Sequence, residues 1–393
     1  MGDSTRVKIE NDYSVSLEKY YLDNFEKGIS FFPKEVVDLY HSYEVNIMRK
    51  AIPVEDKVNI LEVPVNAYLD VSEEHCFALP ENYCLPKYGS LNESIKETLI
   101  ALSCQRKIYI HGPSGCGKDA FIQAYSFLTS TPAKIFQISP ETDVQSWLYS
   151  LRLNEKGSYI REGELLKALR DGYLTPKGRQ IPYLILFSDF DRASSDQAEF
   201  LRLILDSIEG RVLGIEGEVY KVLPGTIIVA TANTSGSGDH KGRFISANPL
   251  DNSLLDRFDR FFEYNWLDWK DELRILKIKY PKTFHNIEWL ESVLKKSISK
   301  MREYIQNDSV SLEFGHRALC RWLGHCEDIY TLFPDTEDTP NQIFKRGLNC
   351  YLDSMPDRRL RGIVENILDP HSPGGIKSEG DTSHIGPRLK LRY

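Results

Sequence analysis

The sequence predicts an α/β fold built on a five-stranded parallel sheet and followed by a helical domain, on three observations. Apolar, β-branched segments of strand length alternate with helical stretches between about residues 89 and 268. Polar residues follow several of these segments directly, at the strand ends where open parallel sheets bind ligands. From 269 to 366 the apolar residues instead recur at helical spacing, as in IEWLESVLKKSISKMREYI (287–305).

Length and composition fit a globular protein of two or three domains. The chain has 393 residues, of which 41% are hydrophobic and 27% charged. Its net charge of −8 argues against a nucleic-acid partner. Seven cysteines without a compact framework predict reduced thiols in the cytoplasm. Because we find neither a signal-like apolar run nor a membrane-length one, we expect no association with a membrane.

Five apolar segments are predicted to form strands of the sheet, and two further segments in the N-terminal region are predicted to be a helix and a strand. The predicted strands are KIYIHG (107–112), AKIFQIS (133–139), IPYLILFSD (181–189), GTIIVATAN (225–233) and DRFFEYNW (259–266). Buried strands that alternate with helices predict a parallel sheet with helices on both faces. Residues 1–88 contain a helix-like segment, 31–52, and a strand-like segment, 58–71, which predict a separate N-terminal α+β region of unknown role.

The segment GPSGCGKDA predicts a phosphate-binding loop. It follows a predicted strand and opens a predicted helix, which is the context that this motif requires. Glycines let backbone N–H groups approach phosphate oxygens, and Lys118 reaches the β- and γ-phosphates. An ordinary glycine-rich turn is the alternative. The predicted nucleotide-binding residues are Gly112, Pro113, Ser114, Gly115, Cys116, Gly117, Lys118, Asp119 and Ala120.

Three positions in and around this loop depart from the usual pattern. Such loops normally place a Ser or Thr hydroxyl on Mg²⁺ directly after the lysine. The third strand normally ends Asp-Glu, and its Glu orients the attacking water. Here Asp119 follows the lysine, and the strand ends Ser188-Asp189. We predict that Asp119 and Ser188 have exchanged roles as Mg²⁺ ligands, since ligand oxygens and charge are unchanged, and that Asp189 orients water. The alternatives are decay of an unused site, and a shifted register with Asp189 at the metal and Phe190 at the catalytic position.

Further polar residues follow the fourth predicted strand or precede the fifth. Asn233 ends the fourth strand, where its amide can hold the attacking water or the γ-phosphate; a turn-forming asparagine is the alternative. Arg257 and Arg260 are three residues apart, so a shared helix face is expected. An arginine at the rim of a ring subunit can stabilise charge at a neighbour's γ-phosphate. A surface salt bridge of Arg257 with Asp256 or Asp259 is the alternative.

Taken together, residues 89–330 resemble the AAA+ ATPases of the MoxR group, and among them the cobaltochelatase small-subunit branch. In that family the third strand reads Asp-Glu-x-Asp/Asn-Arg-Ala, which aligns Ser188-Asp189 with the Asp-Glu pair. The segments that carry the resemblance are GPSGCGK, REGELLKALRDG (161–172), LILFSDFDRA, the hairpin-like stretch 204–239 and NPLDNSLLDRFDRFF (248–262).

The resemblance implies a P-loop AAA+ core at 89–268 and a helical lid at 269–366; the composition of the C-terminal segment, rich in Pro, Gly and Ser, predicts a flexible tail at 367–393. The resemblance also implies that Asn233 is the first sensor, that Arg257 reaches the neighbouring subunit, and that Arg317 in FGHRALCRW (314–322) contacts the γ-phosphate from the lid. A hairpin around 214–222 would be the insertion of this clade. ATP and Mg²⁺, a hexameric ring, and a partner with a von Willebrand type A domain are also implied, with hydrolysis used to remodel a protein or insert a metal.

Two other functions stay open at this level. The departures at Asp119, Ser188 and Asp189 suit a nucleotide-binding structural or switch subunit with little or no hydrolysis. A nucleic-acid motor is disfavoured by the acidic net charge. Separately, His316 and Cys320 are four residues apart on a predicted helix and could bind zinc. Since no second pair has ligand spacing, a core cysteine and a helix-terminal histidine are favoured.

Overall fold

A computed structural model describes residues 63–369, except for 64, 66, 69–70, 81–82, 155–156, 211, 216, 239–246, 308–309, 311, 313 and 356. The predicted segment 31–52, most of 58–71 and the tail from 370 onward lie outside the described residues. The chain divides into two compact units, Met1–Asp271 and Glu272–Tyr393, and each is described by itself. The predicted domain limits at 88, 268 and 366 stay predictions.

The described part of the first unit alternates helices with short strands. In chain order these are α1 (Gly89–Ser103), β1 (Ile108–His111), α2 (Lys118–Thr129), β2 (Ala133–Gln137), α3 (Val144–Leu148), β3 (Tyr149–Asn154), β4 (Gly157–Glu162), α4 (Glu164–Asp171), β5 (Tyr173–Leu174), β6 (Gln180–Ile181), β7 (Leu184–Ser188), α5 (Ser195–Gly210), β8 (Val212–Ile215), β9 (Glu218–Lys221), β10 (Ile227–Ala232), α6 (Asn252–Leu255) and β11 (Arg260–Glu263).

The central sheet has the order β11-β1-β10-β7-β2, and every neighbouring pair is parallel. Strands β7 and β10 are buried along their whole length, as expected for strands covered on both faces by helices. The predicted five-stranded parallel sheet is therefore confirmed, including its fifth strand. Because the strands run the same way, the ends of β1, β7 and β10 meet at one edge of the sheet.

The described residues also form three antiparallel hairpins outside the central sheet. The predicted hairpin around 214–222 is confirmed as β8 paired with β9. The pairs β3–β4 and β5–β6 were not anticipated from the sequence. Strand β3 (YSLRLN) alternates apolar and polar residues, as strands do, but its Leu151 and Leu153 are exposed.

Two apolar clusters form the core of the first unit. One contains Phe187, Phe190 and Phe258, and the other contains Ile110, Phe121 and residues of α1. Residues 65 and 85, a valine and a leucine from the described part of the N-terminal segment, belong to the second cluster. Burial of such side chains, at about 25 cal/mol per Å² of apolar surface, is the main stabilising contribution in folds of this kind.

The second unit is helical, as predicted. Its helices are α7 (Trp269–Lys279, in which the division between the units falls), α8 (Pro281–Asn286), α9 (Leu290–Gln306), α10 (His316–Leu332), α11 (Pro340–Leu352) and α12 (Arg358–Leu368). Helix α9 buries Leu290, Leu294, Ile298, Met301 and Ile305, the spacing expected from the sequence. Across the part of the chain that the structure describes, no helix is long and apolar enough to cross a membrane.

Candidate nucleotide site

The loop between β1 and α2 is shaped by glycines. Gly112 has φ +149°, and a Cβ atom there would lie 1.9 Å from the backbone oxygen of Tyr264. Only glycine therefore allows the chain to leave β1 so close to the neighbouring backbone. Gly117 has φ +96° and immediately precedes Lys118, the first residue of α2. The turn thus places the N-terminus of a twelve-residue helix against the loop, an arrangement that favours phosphate.

The ammonium group of Lys118 is buried beside this loop and is held by three oxygen atoms. Nζ donates to the backbone oxygens of Gly112 at 2.7 Å and Pro113 at 3.0 Å, and to Oδ1 of Asn233 at 3.3 Å. Two residues that the sequence predicts for the site, 115 positions apart, are thereby brought together. An ammonium group held in this way can donate its hydrogen bonds to phosphate oxygens instead.

The carboxylate of Asp119 joins two hydroxyl groups from adjacent strands. Ser188 at the end of β7 donates through Oγ to Oδ2 at 2.7 Å, and Thr231 on β10 donates through Oγ1 to Oδ1 at 2.6 Å. The structure therefore brings together the two predicted Mg²⁺ ligands. Thr231 was missed, although it lies on β10 only two residues before Asn233, which directly follows that strand. The Asp119 carboxylate and the Ser188 hydroxyl are hard oxygen ligands of the kind that Mg²⁺ prefers, and Thr231 holds the carboxylate from its other oxygen.

Asp189 directly follows β7 in a left-handed backbone conformation, with φ +57°. Its Oδ2 accepts a hydrogen bond from Nε2 of Gln137 at 3.1 Å, and Nη1 of Arg192 lies 3.8 Å from the same oxygen. Left-handed backbone is uncommon for a residue other than glycine and is frequent at functional sites. Gln137 ends β2 and is paired in register with Ser188, so it is placed by the sheet. Neither Gln137 nor Arg192 was predicted for the site.

Phe190 lies in the apolar core. Its side chain is fully buried and its ring packs edge-on against Tyr109 and Phe258, at 6.0 and 5.4 Å. The shifted register would assign this buried ring to the catalytic position. The geometry therefore supports the register that pairs Ser188 with the metal and Asp189 with water.

A buried carboxylate supports the end of β10. Oδ2 of Asp191 accepts hydrogen bonds from the backbone N–H groups of Asn233 at 3.0 Å and Thr234 at 2.9 Å, and from Oγ1 of Thr234 at 3.0 Å. Its Oδ1 has no hydrogen-bond partner among the described residues. Burial raises the pKa of Asp191, and these hydrogen bonds offset part of that rise. From the sequence, Asp191 served only to align Ser188-Asp189 with the Asp-Glu pair of the family motif. The structure shows that its carboxylate holds the backbone of Asn233.

The two predicted arginines lie in different units. In the first unit, Nε of Arg257 lies 3.0 Å from Oδ1 of Asp206, and Nη1 donates to the backbone oxygen of Ser253 at 2.5 Å. The ion pair thus uses a carboxylate 51 residues away in sequence. The expectation that Arg257 shares a helix face with Arg260 is wrong, because α6 ends at residue 255 and Arg260 begins β11. Arg317 belongs to the second unit, where its side chain is exposed in the first turn of α10.

Known proteins of several kinds are similar to this chain. Residues 107–258 match the family model described as AAA domain, dynein-related subfamily. An uncharacterized protein of Staphylococcus haemolyticus is 22% identical over 72% of this chain and 97% of its own length. The aerobic cobaltochelatase subunit CobS of a Sinorhizobium species is 23% identical over 49% of this chain and 57% of its own length. A mutant of RuvB from Thermotoga maritima is similar with a TM-score of 0.41, at 15% identity, over 65% of this chain and 69% of its own.

The fold and the family match agree on the kind of domain present. The residues that match the AAA-domain model form most of the five-stranded parallel sheet of the first unit, and the glycine-rich loop before α2 is its candidate phosphate-binding loop.

Proposed function

We propose that the chain is an AAA+ ring subunit of the MoxR and CobS type, which hydrolyses Mg-ATP to remodel a partner protein or complex. The observation that carries the proposal is the 2.7 Å hydrogen bond between Ser188 and Asp119. The loop has a carboxylate where the usual motif has a hydroxyl, and the strand has the hydroxyl. That the two side chains meet supports an exchange of roles over the decay of an unused site.

The phosphate side of the site is formed by residues 112–120. The N-terminus of α2 and its backbone N–H groups would hold the phosphate oxygens, and Lys118 would move from its backbone acceptors to the β- and γ-phosphates. Asp119 and Ser188 would hold Mg²⁺, with Thr231 keeping the Asp119 carboxylate oriented. Bound Mg²⁺ would supply positive charge against the phosphate oxygens.

The water side of the site is formed by the ends of β7 and β10. Asp189 is the residue we assign to orient the attacking water, with Gln137 steadying its carboxylate. Asn233, which Asp191 positions through the backbone, would hold the water or the γ-phosphate. Asp189 is one methylene shorter than the usual glutamate. Because small misplacements are costly in rate, we expect slow turnover.

Two arginines would complete the site from outside this arrangement. Arg257 would leave Asp206 and reach the γ-phosphate bound to the neighbouring subunit, and Arg317 would contact it from the helical unit. A ring, which we expect to be a hexamer, is required for the role of Arg257. The similarity to a protein named as one subunit of a cobaltochelatase supports a partner protein, and the family resemblance implies that this partner carries a von Willebrand type A domain. All seven cysteines lie among the described residues as thiols, which supports a reducing compartment such as the cytoplasm.

The second candidate is a switch subunit that binds a nucleotide with little or no hydrolysis. The departures at Asp119, Ser188 and Asp189 favour it, since all three lie at positions that serve catalysis in the usual motif. Both candidates require phosphate binding by the loop, and they differ in turnover.

The deciding experiment is steady-state Mg²⁺-dependent ATP turnover by the purified chain, beside Lys118→Ala. Turnover above that of the variant supports the ATPase. Nucleotide binding that needs Lys118, without turnover even when the partner is added, supports the switch. If neither binding nor turnover depends on Lys118, both proposals are wrong.

A further inference from the structure

A cluster of ionisable groups in the helical unit takes no part in the nucleotide site described above. It consists of Glu272 and Lys279 on α7, Tyr280 directly after this helix, and His316 and Cys320 on α10. His316 and Cys320 are four residues apart, which places both on one face of α10. No group of three His, Cys, Asp or Glu side chains that could hold a metal occurs in the described parts of the chain, so zinc does not account for the pair.

Glu272 places a buried negative charge behind the histidine. Its side chain is fully buried, and Oε2 accepts a hydrogen bond from Nη2 of Arg302 at 2.7 Å. Its other oxygen, Oε1, has no hydrogen-bond partner in the described structure and lies 3.7 Å from Nδ1 of His316. Burial lowers the pKa of His316, but Cys320 and Glu272 outweigh this and raise it to about 9. The imidazole is therefore cationic at neutral pH.

A positive group lies close to the thiol of Cys320. The ammonium Nζ of Lys279 lies 3.9 Å from Sγ, and the hydroxyl of Tyr280 donates to the backbone oxygen of Cys320 at 3.2 Å. Burial raises the pKa of Cys320, but the neighbouring His316, Tyr280 and Lys279 more than offset it and hold that pKa below its ordinary value. The side chain remains partly exposed, so a small reagent can reach it.

Other cysteines differ from Cys320 in burial: Cys116 also has an ammonium group, Nζ of Lys118, 3.9 Å from its sulfur, but it is buried. Burial raises the pKa of Cys326 to about 12 and that of Cys76 to about 11, as expected for inert thiols. Cys104 and Cys350 are exposed. They are therefore suitable references for an accessible thiol.

We propose that Cys320 is a reactive thiolate that forms a mixed disulfide with small, anionic disulfides of the glutathione type. Sγ attacks one sulfur of the reagent, one S–S bond forms as another breaks, and the released thiolate takes a proton from water. The reagent itself is the oxidant, so the step is balanced. Lys279 and protonated His316 attract the carboxylates of such a reagent, while Arg302 keeps Glu272 in place behind the histidine.

The first test measures the rate of iodoacetamide alkylation of the full-length chain as a function of pH, resolved by peptide mass spectrometry. We expect the rate at Cys320 to reach half its maximum at least about one pH unit below the midpoints of Cys104 and Cys350. His316→Gln and, separately, Lys279→Gln should each raise the Cys320 midpoint and leave the two reference midpoints unchanged. Lys279→Gln is included because its partly exposed side chain is the safer one to replace.

The second test treats the protein with glutathione disulfide at neutral pH. We expect a glutathionyl group on the Cys320 peptide several-fold faster than on those of Cys104 and Cys350. Three results would overturn the proposal: equal midpoints at the three cysteines, no labelling of Cys320 where the references react fully, or a Cys320 midpoint that neither variant moves. None of these readouts depends on ATP turnover, so the proposal stands or falls independently of the function above.

Discussion

Reversing the exchange between Asp119 and Ser188 tests the site most directly. The three variants are Asp119→Ser, Ser188→Asp and the double variant that carries both changes. The double variant restores the usual order, with a hydroxyl on the loop and a carboxylate on the strand. If the two side chains form one functional unit, each single change should be harmful and the double change should recover most of the loss.

The structure gives the size of the expected effects. The hydrogen bond from Ser188 to Asp119 is 2.7 Å long and has a charged acceptor; such bonds contribute about 1.5–3 kcal/mol. Asp119→Ser removes this acceptor and that of Thr231. Ser188→Asp sets two carboxylates against each other, and at about 4 Å with an effective dielectric constant of about 20 the repulsion is about 4 kcal/mol before protonation or movement relieves it.

The assay is Mg²⁺-dependent ATP turnover by the four proteins, analysed as a double-mutant cycle. Fluorescent-nucleotide affinity in the presence of Mg²⁺ replaces turnover if the unmodified chain does not hydrolyse ATP. We expect each single variant to lose at least about tenfold, and a coupling free energy of about 2 kcal/mol or more. Additive losses, with the double variant worse than either single one, would refute the exchange of roles.

Three further predictions concern residues around the site. Asp191→Ala removes the acceptor of three hydrogen bonds, so the free energy of unfolding of the first unit should fall by about 3 kcal/mol in urea titrations. Asp191→Asn, which can still accept these hydrogen bonds, should lower the free energy of unfolding clearly less. Equal losses in the two variants would contradict this account. Arg257→Ala and the matched control Asp206→Asn break the same surface ion pair, so each should change the free energy of unfolding by less than about 1 kcal/mol. Only Arg257→Ala should also reduce ATP turnover, by about 10³-fold. Equal turnover in the two variants would exclude Arg257 from catalysis. Burial, and more weakly Lys118, lower the pKa of His111, so protonation favours the unfolded chain and stability should be lost as pH falls below about 6.5. His111→Asn should reduce the pH dependence of the thermal unfolding midpoint between about pH 7.5 and about pH 5. An unchanged pH dependence in this variant would show that His111 is not responsible.

Much of the fold could be predicted because its signals are local. Each strand of the central sheet is a short apolar run, and the glycines of the loop are needed for backbone conformations that other residues adopt only with strain. The helical unit was predictable for the same reason, since α9 repeats its apolar residues with helical spacing. The β3–β4 hairpin was not predicted, although β3 (YSLRLN) alternates apolar and polar residues as strands do; its Leu151 and Leu153 are exposed.

The sequence by itself determined the strands of the central sheet, the glycine-rich loop and the position of Lys118, because these depend on residues close together in the chain. Only the tertiary structure decided that Asp119 meets Ser188, 69 residues away, and Thr231, 112 residues away. It also paired Arg257 with a distant aspartate and placed α6 and β11 so that Arg260 lies on a strand. The physical reason is that such contacts depend on the order β11-β1-β10-β7-β2 and on strand register. These are set by packing of the whole sheet against its helices, which no local segment encodes.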